Sequence, residues 1–224
     1  MFRNFYLCTA LAVVVFTSAA QAQHFDVFVA RPASGNQTVF GGIDVDTQAI
    51  TLGTRVFEAE VEELPPANIF FGDAPGFNHP DDNVPLPAGV NSLVEGDDIL
   101  VRQLDLTVGG VTGPVFFWDG VGPVSFVPPS NATFDIATPM PPNPSIGLAG
   151  VDGSFDDHPL FELSNNGSLP APGIYLGSLE VEVDGLAPSD QLFLVLGTEG
   201  LITAEFLGID QTEFDMLTLS LIHI

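Results

Sequence analysis

Outside its first 22 residues and a short terminal tail, the chain carries three histidines: His24, His79 and His158. Two of them stand in mirrored settings, His79-Pro80-Asp81-Asp82 and Asp156-Asp157-His158-Pro159. An imidazole nitrogen beside carboxylate oxygens is a ligand set for zinc, copper or another transition ion. The expectation is a divalent-metal site built from His79, Asp156 and His158, with His24 as a further ligand, formed where the two loops meet at a sheet edge. The spacing follows neither a zinc finger nor the His-Glu-x-x-His helix pattern, and the same residue types serve equally as solvated loop side chains. Calcium is the second cation to weigh. Oxygen-rich clusters stand at Asp44/Asp46, Asp81/Asp82/Asn83, Asp97/Asp98 and Asp152/Asp156/Asp157. None has the alternating ligands and central glycine of an EF-hand loop, and aspartate is an ordinary turn-former.

Signatures of catalysis are missing. The sequence contains no G-x-S-x-G elbow, P-loop or His-Glu-x-x-His, and its one cysteine, Cys8, lies in the leader segment. The expected role is therefore non-catalytic. Two alternatives stay open. One is a carbohydrate-binding module that stacks a sugar on Trp118, with Phe117 and Tyr175 nearby. The other is a secreted hydrolase using a carboxylate pair, whose separation only a structure reveals.

The elements that must position these residues read as strands. Tyr175, Leu179, Val181 and Val183 alternate with Ser178, Glu180 and Glu182, the period of two of a half-buried strand. Gln191–Gly197 is almost continuously apolar and reads as an inner strand buried on both faces. Phe57, Ala59 and Val61 share one face of another strand. Ile99–Val108 reads as one strand with Leu100, Leu104, Leu106 and Val108 on a side that Arg102 interrupts. Gly41-Gly42 predicts a bulge or bend. The acidic, proline-rich stretch from Gly72 to Asp98 reads as a long loop, either functional or an arm over a sheet edge. A strand near Leu201–Phe206 and a helical turn near Gln211–Leu217 complete the pattern. Many short strands punctuated by turns define the class as all-β, a single-domain antiparallel β-sandwich of jelly-roll-like type.

Composition narrows location and partners. Arg3, the apolar run Phe5–Phe16 and Ala20-Gln21-Ala22 make residues 1–22 a signal peptide. The mature domain is then 23–218, free of cysteine and disulfide. The formal net charge is −25, with no lysine and only Arg3, Arg31, Arg55 and Arg102 against 29 acids. Such a surface repels nucleic acid and anionic membranes and suits divalent cations or a saline exterior. The expected partners are divalent cations or extracellular polysaccharide. The last six residues, Leu219-Ser220-Leu221-Ile222-His223-Ile224, translate CTG TCT CTT ATA CAC ATC, the end sequence of transposase-based sequencing libraries. Residues 219–224 read as a non-native tail, with the natural chain continuing past Thr218.

Five motifs occur in a familiar order: FGDAPGFN (Phe71–Asn78), FFWDG (Phe116–Gly120), DDHPLFEL (Asp156–Leu163), APGIYLGSLEVEVDGLAPSD (Ala171–Asp190) and the run Leu192–Gly197. Together they resemble secreted planctomycete and cyanobacterial proteins that end in a PEP-CTERM sorting tail, among them the zinc-repressor-regulated PEP-CTERM proteins. The resemblance implies a secreted or cell-surface protein of the bacterial envelope, anchored through a C-terminal tail. Members carry a His-x-His pair ahead of a Phe/Tyr-x-Leu strand. Here that place reads Asp156-Asp157-His158, an acid standing for one histidine, which moves the implied ligand set away from zinc.

Overall fold

The structure, a computed structural model, describes residues 25–129, 131–137 and 144–198. The leader, His24, the strand and turn expected beyond residue 200, and the tail 219–224 lie outside the described residues. Those described form an all-β, sandwich-like domain with no helix among them. In chain order the strands are β1 (Phe25–Pro32), β2 (Val39–Asp44), β3 (Ile50–Leu52), β4 (Val56–Leu64), β5 (Ile69–Gly72) and β6 (Phe77–His79). Then follow β7 (Val90–Asn91), β8 (Asp98–Leu104), β9 (Leu106–Val108), β10 (Val111–Gly113), β11 (Val115–Trp118) and β12 (Thr133–Ala137). The last five are β13 (Ser145–Leu148), β14 (Phe155–Asp157), β15 (Leu160–Ser164), β16 (Ile174–Val183) and β17 (Leu192–Thr198).

A nine-stranded sheet runs β12-β15-β5-β4-β17-β16-β8-β13, with β11 also paired to β16. A six-stranded sheet runs β14-β6-β1-β2-β3, with β7 on β1. Most pairs are antiparallel; β1 with β6 and β4 with β17 are parallel. The two sheets share one apolar cluster. The smaller sheet sends Val27, Val29, Phe77 and Phe155 into it; the larger sends Phe57, Val61, Ile99, Val101 and the β16 face Tyr175, Leu179, Val181 and Val183. The alternation of β16 and of β4 is thus what the sequence predicts. β17 lies between β16 and β4 and is buried on both faces, Leu192, Leu194 and Leu196 on one and Phe193 and Val195 on the other. Burial on both sides explains its unbroken apolar run.

Four expectations change. Ile99–Val108 is not one strand: Asp105 separates β8 from β9, and β9 pairs only with β10 in a two-stranded sheet. On β8 the core face is Ile99 and Val101, not Leu100 and Leu104, because Arg102 on the latter side pairs with Glu180 and Glu182 on the wetter face. Gly41-Gly42 makes no bulge, since β1 and β2 stay in continuous register through both. Gly41 is needed because a Cβ there would lie 2.5 Å from the Thr51 carbonyl oxygen of β3. The stretch from Gly72 to Asp98 is not a structureless loop: it contributes β6 and β7 to the smaller sheet. Its Val90 and Leu86 pack with Phe28, Ala30 and Ile43 on the outer face of that sheet. Both faces of β1 are therefore apolar, and Asp26 falls within its buried span.

Candidate functional site

The site grows from the pairing of three adjacent strands. β1 and β6 align Val27 with Phe77 and Phe28 with Asn78. β14 and β6 align Asp156 with Asn78 and Asp157 with Phe77. One step further along, Asp26, Gly76 and His158 fall into a row across the sheet. Asp26 is only 4% exposed, and its Oδ1 accepts the Gly76 amide at 2.8 Å. The Val27 amide in turn donates to the Gly76 carbonyl at 2.8 Å, which fixes the start of β6.

Gly76 makes room at the centre of the row. A Cβ there would lie 2.6 Å from both Nε2 and Cε1 of His158 and 3.0 Å from Oδ1 of Asp26. The His158 ring occupies the space a side chain would fill. Its Nδ1 lies 2.9 Å from the Asp73 carbonyl, which can only accept, so Nδ1 carries the proton. This leaves Nε2 toward the carboxylates, 3.5 Å from Oδ1 of Asp156. One potential ligand atom from each of Asp26, Asp156 and His158 lies within 4.8 Å of the other two. Asp26 is buried while Asp156 and His158 are open to solvent, so an ion has a fixed floor and a route in. Burial lowers the His158 pKa, but the Asp73 hydrogen bond and the charges of Asp26, Asp156 and Asp73 outweigh it, and the net shift is upward. Two carboxylates and an imidazole whose far nitrogen is held by a carbonyl form a ligand set with its orienting partner in place.

His158 and Asp156, both expected from sequence, come together here, and Asp26 joins them. His79 does not. It is 1% exposed, its Nδ1–H donates to the Val29 carbonyl at 2.7 Å, and its ring stacks on Phe28 with centroids 5.4 Å apart. Burial pushes its pKa down, against the smaller upward pulls of the Val29 hydrogen bond and the Asp82 charge. The register sets His79 opposite Phe155, so His158 faces Gly76 rather than the other histidine. His24 lies outside the described residues. Several acidic clusters are occupied in turns: Asp44 accepts the Asp46 and Thr47 amides, Asp81 the Asn83 amide, and Asp152 both the amide and hydroxyl of Ser154. Asp97 holds Arg31 through both carboxylate oxygens.

Trp118 presents no stacking face. It is 3% exposed, packed edge-on to Phe126, with Nε1–H donating to the Val121 carbonyl at 3.4 Å. Phe117 packs against Tyr175 at 4.9 Å. Strand pairing of β11 with β16 draws these aromatics into the fold.

Sequence reasoning missed Asp26 and Gly76. Asp26 occupies a polar place in the alternation Phe25-Asp26-Val27-Phe28-Val29 and so reads as solvent-facing. The apolar neighbours Phe28 and Ala30 on its own side were the available signal that this face is covered.

The fold and the row together define an all-β, sandwich-like protein with a carboxylate–imidazole cluster capable of holding a metal ion. Neither a protein-family model nor a curated protein matches the sequence. Among solved structures, a family 123 glycoside hydrolase from Clostridium perfringens is similar at 13% identity and a TM-score of 0.23, over 68% of this chain and 24% of that one. At that score the likeness carries no argument about fold or activity.

Proposed function

We propose that this is a secreted, envelope-associated, non-catalytic β-sandwich protein that binds a divalent cation through Asp26, Asp156 and His158. The observation that carries the reading is the glycine at position 76, whose missing side chain leaves the space in which the His158 ring meets Asp26. The imidazole favours a transition ion such as zinc over calcium, and the two carboxylates are compatible with either. The leader pattern of residues 1–22 supports export, and the formal charge of −25 supports attraction of cations.

The test is elemental analysis and calorimetric titration of the chelator-treated protein with zinc and calcium. Stoichiometric binding is expected. Gly76→Ala should weaken it by about 10- to 100-fold, the usual effect of disturbing the support of a ligand. The fold should persist in that variant, because the His158 side chain is 45% exposed and its ring can swing away. Asp26→Asn should weaken binding similarly. Binding unchanged in both variants would place any cation elsewhere.

A further inference from the structure

A cleft of about 520 Å³ runs beside the Asp26–Asp156–His158 row and shares Asp156 with it. It follows the edge strand β14, and Asn78, His79, Asp81, Leu148, Asp152 and Asp157 are among the residues along its wall. That volume lies within the range of small-molecule sites, about 300–1,000 Å³.

The chemistry of the wall is one-sided. Asp81, Asp152, Asp156 and Asp157 offer carboxylate oxygens and exclude an anion. His79 is 1% exposed and its Nε2 is buried without a hydrogen-bond partner among the described residues. With Nδ1–H committed to Val29, Nε2 is a bare acceptor that a donor is needed to satisfy. Asn78 and Gln48 add amides that both donate and accept. Beside these stands an apolar surface: Leu148 lies in the wall at 65% exposure.

The occupant must therefore donate many hydrogen bonds, accept a few, carry no negative charge and present an apolar face. A second cation fits poorly once the row holds one, because like charges repel at this range. We propose that the cleft binds a neutral saccharide, with a pair of vicinal hydroxyls completing the coordination of the cation held by Asp26, Asp156 and His158. This rests on the cation reading above. Three protein ligands leave coordination positions open, and Asp156 belongs to both the row and the wall of the cleft. Hydroxyls not on the ion donate to Asp157 and the other acceptors, and the C–H face of the ring lies over Leu148.

The test titrates the full secreted chain, loaded with zinc or with calcium, with methyl α-mannoside, methyl β-galactoside and methyl α-fucoside, followed by calorimetry and protein NMR. Saturable binding of at least one glycoside is expected. Chelator should abolish it. Measured at saturating cation, Leu148→Arg, an exposed substitution, and Asp157→Asn should each weaken it by about tenfold, the scale of one or two lost contacts. Cation binding with no saturable binding of any glycoside overturns this inference alone. No cation binding overturns both readings. Glycoside binding that survives chelator, or that Leu148→Arg leaves unchanged, also overturns it.

Discussion

His79 ends β6 and His158 directly follows its neighbour β14, and their surroundings drive them in opposite directions. Burial among Phe28 and its neighbours holds His79 below its ordinary value of 6.5. The native state then binds fewer protons than the unfolded chain between that lowered value and about 6.5. Its contribution is complete above that window and is lost as pH falls through it. His158 is raised, mainly because the Asp73 carbonyl and the nearby carboxylates overcome burial. Its contribution is present below about 6.5 and disappears as pH rises through the raised value. In chelator, His79→Gln should therefore lose less stability between pH 7 and pH 5 than the wild type. Denaturant titrations at the two pH values measure it, and an equally steep fall in the variant would contradict the account. At this scale the sequence was half legible. The acid-rich approach to His158 announced itself by composition, and Asp156 came with it. Asp26 was hidden because a lone carboxylate in a strand reads as solvent-facing, although Phe28 and Ala30 on its side are apolar and covered. No local pattern states that Gly76 lies across from an imidazole 82 residues further on; only the register of β14 on β6 does.

Between elements, two ion pairs look alike on paper and differ physically. Arg102 on β8 reaches Glu180 at 3.5 Å and Glu182 at 2.5 Å on β16, with the arginine side chain 36% exposed. Solvent screening makes such a pair worth about 0–1 kcal/mol. Arg31 at the end of β1 grips Asp97, just before β8, with two hydrogen bonds, and the Val94 amide adds a third. The Asp97 side chain is only 6% exposed, so its charge depends on these donors. Desolvation raises its pKa, yet the Arg31 and Val94 hydrogen bonds and the Arg31 charge win, and the net shift is downward. Asp97→Asn should cost about 1–3 kcal/mol, below the roughly 3–5 of a fully buried pair because the Arg31 side chain is 30% exposed. Arg102→Ala should cost less than about 1 kcal/mol. Equilibrium unfolding of the two variants separates the cases, and equal losses would show that burial does not decide between them. The strands themselves were readable, β4 and β16 from period two and β17 from its unbroken apolar run. Their partners were not, since β1 pairs with β6 and β4 with β17 across long stretches of chain, in parallel registers that no turn dictates. The same limit concealed β6 and β7 inside an acidic, proline-rich segment whose composition argued for loop.

For the whole molecule, a formal charge of −25 makes the folded state repel itself, because folding brings carboxylates closer together with only Arg31, Arg55 and Arg102 outside the leader to offset them. Two kinds of cation should relieve this in distinguishable ways. Sodium chloride acts by screening, so stability should climb gradually from low to moderate ionic strength and be insensitive to any one carboxylate. A divalent ion bound at Asp26, Asp156 and His158 acts by mass action on the native state, adding about 2.7 kcal/mol at 100 times its Kd. For a domain of this size that is a rise in Tm of roughly 5–10 °C. Thermal melts in fixed salt with increasing zinc or calcium should therefore show a saturating rise above the screening background. In Asp26→Asn the sodium chloride dependence should survive while the saturating component disappears. A divalent effect that persists in that variant would assign the stabilisation to the general acidity of the surface, and the row on the smaller sheet would then be a structural cluster alone.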